Sequence, residues 1–146
     1  MAHALNMTMA LKQDPQTQAT LAQVKASFAQ NIQPAIDAAL RKSQIVHFAR
    51  VLVIDNKYIQ IITEYDGDRQ QYTEFFRKEL QPVFKVIFSM AEGAPSWDEL
   101  NDSNTFYEYS KGKNVRALGE LDPPDPNEGW LFSAYGGKTV KDLLGT

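Results

Sequence analysis

The chain has 146 residues, 43% of them apolar and 23% charged, with a formal net charge of −3, which fits one ordinary globular domain able to bury a real core. Scattered Lys and Arg argue against a nucleic-acid surface. No apolar run approaches the ~20 residues of a membrane span, and Met1 to Gln13 lacks the basic-then-apolar order of a secretory leader. The absence of cysteine excludes disulfides, thiol catalysis and thiolate metal sites and fits a cytoplasmic location, and His3 and His47 alone offer little for metal or haem chemistry.

In chain order, the weak alternation of Met7, Met9 and Leu11 predicts a first strand. Asp14-Pro15 starts a helix, since Asp accepts from free backbone N–H groups and Pro suits the first helical position. Leu21, Val24, Phe28, Ile32, Ile36 and Leu40 then trace one apolar face of a long helix that Pro34 should kink. Ile45 to Ile54 and Tyr58 to Tyr65 are β-rich runs around the turn signal Asp55-Asn-Lys57, which predicts a hairpin. Asp68 is placed to cap a second helix from Arg69 to about Met90, with Tyr72, Phe75, Phe76, Leu80, Phe84, Ile87 and Phe88 inward and Pro82 as a kink. Residues 91–129 read as a long insertion. Within it, Ser96-Trp-Asp-Glu99 resembles a capping box, and Thr105 to Tyr109 reads as helical. Trp130 to Tyr135 is the expected last strand, and Thr139 caps a short C-terminal helix.

The expected fold is therefore α+β: a single domain with a four-stranded antiparallel sheet and two helices on one face, in the order strand, helix, strand, strand, helix, strand. A two-residue turn near Asn56 would put Phe48, Arg50, Leu52 and Ile54 on one sheet face with Ile59, Ile61, Thr63 and Tyr65. The other face would hold His47, Ala49, Val51 and Val53 with Tyr58, Gln60, Ile62 and Glu64. Both faces are largely apolar and two helices cover only one, so a homodimer through the second face is expected. Cover by the insertion is the alternative.

The run His47-Phe-Ala-Arg50 with Val51 to Asp55, then Thr63-Glu-Tyr-Asp-Gly67 and Tyr72, resembles stand-alone ferredoxin-like domains of the dimeric α/β-barrel superfamily. Phe132-Ser-Ala-Tyr-Gly-Gly-Lys-Thr-Val140 resembles the end of the same domain. The resemblance implies a ferredoxin-like βαββαβ fold paired into a dimeric α/β barrel with an interior cavity. It implies no particular activity, since the superfamily includes antibiotic-biosynthesis-type monooxygenases, chlorite dismutases and dye-decolourising peroxidases. The haem-binding members take a histidine from beyond the sheet. No histidine follows His47, which disfavours haem, with another type of axial ligand as the alternative, and no cofactor is expected.

His47 and Glu64 fall on one expected face, where a carboxylate-oriented imidazole is a usual acid–base pair; a satisfied polar pair is the structural alternative. Tyr58 and Gln60 share that face as binding candidates. Arg50 faces the other way and needs a partner, either an anionic ligand or Asp55, Glu79 or helix-end carbonyls. Trp97 and Tyr107 lie in the insertion, which would either fold over a cavity mouth or simply pack onto the domain. Glu64, Asp66 and Asp68 alternate, but turn and capping duty explains the aspartates and no metal site is expected. Gly136-Gly-Lys-Thr139 lacks the first glycine of a phosphate loop, because position 132 is Phe132. The leading functional expectation is a domain that binds a hydrophobic small molecule in an apolar pocket at the sheet face. A cofactor-independent, monooxygenase-like enzyme with His47 and Glu64 as its acid–base pair, and a structural domain assembling through its sheet, are the alternatives.

Overall fold

The computed structural model describes residues 2–119 and 131–146. Strands β1 (Ala2–Ala10), β2 (Val46–Ile54) and β3 (Tyr58–Asp66) form one antiparallel sheet in the order β1-β3-β2. Along β3 the burial alternates strictly from Tyr58 to Tyr65, with Ile59, Ile61, Thr63 and Tyr65 inward. These residues pack with Leu5, Met7 and Met9 of β1 and with Val51 and Val53 of β2 against the helices.

The helices cover one face of the sheet and are interrupted where proline requires it. Helix α1 (Pro15–Ser27) is capped by Asp14, whose Oδ2 accepts the Thr17 N–H at 2.9 Å. A π-turn, Phe28–Ile32, follows, and Gln33 N–H reaches back five residues to the Phe28 carbonyl. Helix α2 (Gln33–Ser43) carries Pro34 in its first turn. Pro34 has no N–H for the preceding turn, so the chain opens before it instead of bending smoothly through it. The second half repeats the device: α3 (Arg69–Glu79), capped by Asp68, meets α4 (Gln81–Ser89) at Leu80, with Pro82 in the first turn of α4. Leu21, Tyr72, Phe76, Leu80, Ile87 and Phe88 project from these helices into the core. Each such side chain contributes about 1.5–3 kcal/mol by burial.

The expected four-stranded sheet is not found. Leu131–Tyr135 is irregular and turn-like rather than a strand, and Trp130, which was to open that strand, lies outside the described residues. The segment Leu131-Phe-Ser-Ala-Tyr-Gly-Gly137 carries too few alternating apolar positions to bury a strand face, and Phe132 is fully exposed. Beside β1, among the described residues, there is an isolated bridge of Met7 with Asn114, supported by Thr8 N–H to the Lys113 carbonyl and Val115 N–H to the Asn6 carbonyl. The sheet is open and not closed into a barrel, which overturns the ferredoxin-like, dimeric α/β-barrel resemblance: closure would need its edges paired, and β1 and β2 remain its two edges.

The hairpin register also differs from expectation. Asp55 and Asn56 both adopt left-handed φ values, 53° and 54°, and Lys57 N–H donates to the Ile54 carbonyl. Ile54 pairs with Tyr58, so the loop has three residues, not two. Even positions therefore face even positions, and Phe48, Arg50, Leu52 and Ile54 share a face with Tyr58, Gln60, Ile62 and Glu64. One extra loop residue exchanges the partners of every side chain across a hairpin.

The 91–129 region contributes α5 (Trp97–Leu100), capped by Ser96, and α6 (Ser103–Gly112), capped by Asp102. Leu100 and Phe106 are buried, and Trp97 and Tyr109 pack against the core, with Phe106 edge-on to Phe84 and Trp97 edge-on to Phe106. Arg77 donates to both carboxylate oxygens of Glu74, at 2.9 and 2.7 Å, and to Asn101. The bidentate guanidinium holds the Glu74 carboxyl down at about 2 and ties α3 to the α5–α6 connection. Helix α7 (Val140–Leu144) starts with a capping box between Thr139 and Asp142. No helix among the described residues is long and apolar enough to cross a membrane.

Candidate functional site

Two cavities lie side by side along the inner edge of β2. The inner one, about 290 Å³, sits between the sheet and the helices. Ala49, Val51 and Ile61 form its floor and Phe28, Ile36, Phe76 and Val83 much of its roof. Its buried polar feature is a hydroxyl pair: Tyr72 Oη donates to Thr63 Oγ1 at 2.7 Å. Burial pushes the Tyr72 phenol far up from its usual range, so it stays a neutral donor. The π-turn borders this cavity through Phe28, and Gln33, whose N–H closes that turn, is also in the wall.

The outer cavity, about 350 Å³ and more open, shares Leu40 and Val46 with the inner one. Beside it stands a hydrogen-bonded chain of three side chains. His47 is the extra residue of a β-bulge, because Val46 pairs with Tyr65 while Phe48 already pairs with Glu64. A bulge releases a side chain from strict alternation and re-aims it. The His47 side chain is only 3% exposed, and its Nε2 lies 2.8 Å from Asp66 Oδ1. Its Nδ1 lies 2.8 Å from Tyr135 Oη, with the two rings stacked. The second Asp66 oxygen accepts the Val140 N–H at 2.7 Å, and Asp66 N–H donates to the Ile45 carbonyl.

The donor–acceptor inventory orders the protons along this chain. An ionised Asp66 only accepts, so the neutral imidazole carries its hydrogen on Nε2 and leaves Nδ1 to accept from the Tyr135 hydroxyl. The arrangement runs carboxylate, imidazole, hydroxyl. It can receive the phenolic proton on His47 and stabilise the resulting imidazolium by Asp66.

The residues singled out from sequence are distributed differently. His47 joins the chain, but its partner is Asp66 and not Glu64. Glu64 stands two residues before Asp66 on β3, paired with Phe48, and burial raises its carboxyl above the usual range against the pull of Arg50 and His47. Arg50 is exposed, with no salt bridge among the described residues, and borders the inner cavity from the edge strand. Tyr58 is exposed on the open face, and Gln60 there donates to Thr8 Oγ1 at 3.1 Å. Trp97 and Tyr107 line neither of these two cavities; Trp97 packs on the core, and Tyr107 lies under the Lys111 ammonium.

Asp66 and Tyr135 were missed. Asp66 reads as a turn residue beside Gly67, and Tyr135 as part of a last strand. The bond from Tyr135 to His47 spans 88 positions, and no local pattern marks such a pair. No group of three or more His, Cys, Asp or Glu side chains suited to a metal ion occurs among the described residues. Compared with protein-family models, with curated proteins and with solved structures, the chain matches none.

Proposed function

We propose that this domain binds a small, largely apolar molecule in the cavity between the sheet and the helices. The observation that carries this reading is the cavity itself: about 290 Å³ of space walled mainly by aliphatic and aromatic side chains, with the Thr63–Tyr72 hydroxyl pair at its edge. The cavity is partly open, and a ligand seated in it would take its apolar walls out of water. Apolar walls with a few fixed polar groups are the usual composition of a ligand site. The adjoining π-turn, a rare interruption often found at functional sites, supports the same reading.

The test uses 1-naphthol as probe, since its rings match the walls and its hydroxyl suits Thr63 and Tyr72. Titration followed by amide NMR should give saturable shifts at Ala49, Val51, Ile61 and Thr63. Ala49→Phe, which projects a ring into the cavity, should weaken the affinity by about tenfold or more. No saturable binding, or equal binding by the variant, rules the proposal out.

The open sheet face supports a second reading, self-association. Phe48, Leu52, Ile54 and Tyr58 remain 68%, 40%, 41% and 46% exposed there, a concentration of apolar surface that monomers rarely present. Arg50 and Glu64 lie diagonally on the same face, so a two-fold axis through it sets the cation of each copy near the carboxylate of the other. Light scattering at micromolar concentration should give twice the 16.5 kDa chain mass, reduced to the single mass by Leu52→Glu. A single-chain mass for the unaltered protein overturns this reading.

A further inference from the structure

We propose that Tyr135 is the reacting group of a second, acid–base site, its hydroxyl activated by His47 and Asp66 and presented to the outer cavity. The inference stands apart from ligand binding in the inner cavity and uses different residues. Three observations carry it. The Asp66–His47–Tyr135 chain is continuous, with both bonds at 2.8 Å. The imidazole at its centre is nearly inaccessible, so a proton placed on it exchanges through the groups bonded to it. The end of the chain opens into space, since Tyr135 is half-buried and lines the outer cavity.

A purely structural pin needs one bond to hold the C-terminal segment, and Asp66 already holds that segment through Val140 N–H. The Tyr135 bond adds an ordered acceptor for a phenolic proton. When Tyr135 Oη takes a proton from a ligand or attacks an electrophilic centre, its own proton passes to His47 Nδ1, and Asp66 stabilises the imidazolium through Nε2–H. Tyr135 is the catalytic residue; His47 and Asp66 are relay and positioning residues.

The cavity walls indicate the substrate class. Leu40, Phe48, Leu143 and Leu144 supply apolar surface, while Asp37 and Arg41 stand at the rim and pair with each other at 3.2 Å. An apolar body bearing one ionisable O–H or C–H group fits these walls, with that group set against Tyr135 Oη.

The experiment reads the activation of Tyr135 directly, with phenylmethanesulfonyl fluoride as probe. The Tyr135 Oη–S bond forms, the S–F bond breaks, fluoride leaves with the bonding pair, and the phenolic proton goes to His47. Modification is followed by peptide mass spectrometry, with the more exposed Tyr58 in the same molecule as internal reference. Tyr135 should react about tenfold faster than Tyr58 or more. Asp66→Asn should slow it, and His47→Ala should reduce it to the Tyr58 rate, with free imidazole restoring it. A Tyr135 rate no greater than that of Tyr58 overturns the proposal, as does a fast rate that survives His47→Ala, or a loss in His47→Ala that imidazole does not restore. If His47→Ala does not fold, the comparison of Tyr135 with Tyr58 in the unaltered protein decides.

Discussion

Asp66→Ala is expected to lower the stability of the domain by about 3 kcal/mol. The substitution removes two acceptors at once. His47 Nε2–H loses its partner in a site where the ring is 3% exposed, and Val140 N–H loses the oxygen that anchors the start of α7. Each buried donor left unpaired costs about 1–3 kcal/mol. Asp66→Asn keeps a carbonyl oxygen for one of the two donors and should cost roughly half as much by the same reckoning. Urea unfolding gives the measurement: the midpoint should fall with the slope unchanged, as the surface exposed on unfolding is the same. A loss in Asp66→Ala below about 1 kcal/mol, within the range of an ordinary surface hydrogen bond, would mean that the chain from Asp66 to Tyr135 does not hold the bulge and the C-terminal segment together.

Phe76→Ala should be the more damaging change, at about 3–5 kcal/mol. Phe76 is 4% exposed and packs between the rings of Tyr72 and Phe75, each centred 5.1 Å away. It also forms part of the roof of the inner cavity. Truncation there joins the space of the lost ring to an existing void, so neighbouring side chains have little to collapse against. Total stabilities of domains are only about 5–15 kcal/mol, so a loss of this size takes a large share. Phe132→Ala is the control. That side chain is fully exposed and its truncation should change stability by no more than about 0.5 kcal/mol. Equal midpoints for Phe76→Ala and Phe132→Ala would show that the helix layer does not rest on Phe76.

The two variants probe different parts of the molecule. Phe76 belongs to a core whose members are visible in the spacing of the sequence. Asp66 belongs to a cluster assembled from three distant segments, and its meaning appears only when β2, β3 and the C-terminal turn are brought together. The same contrast separates the cavities. Helix residues expected inside, Ile36, Tyr72 and Phe76 among them, roof the inner one, but its floor of Ala49, Val51 and Ile61 was brought together only by the hairpin register, and the outer one depends on where Tyr135 and α7 settle.

Local chemistry in the sequence determined the elements. Asp14, Asp68, Ser96 and Thr139 cap helices because a short acceptor side chain satisfies free N–H groups wherever it precedes a helix, and each does so. Pro34 and Pro82 break the helices because a missing N–H is a local property. The apolar spacing of Leu21, Tyr72, Phe76, Leu80 and Ile87 likewise named the core.

Only the tertiary structure decided the rest. The hairpin loop took three residues because Asp55 and Asn56 both occupy left-handed conformations, and that single count settled which side chains share a face. The number of strands was decided by whether Leu131–Tyr135 could bury a face, which its short apolar stretch does not allow. The partner of His47 was decided by a bulge one residue wide, which set the imidazole against Asp66 and Tyr135 instead of Glu64. The physical reason is common to all three. Capping and helix breaking act over three or four neighbouring residues, while register, strand count and side-chain pairing depend on contacts between segments far apart in the chain, where one residue more or less reverses the outcome.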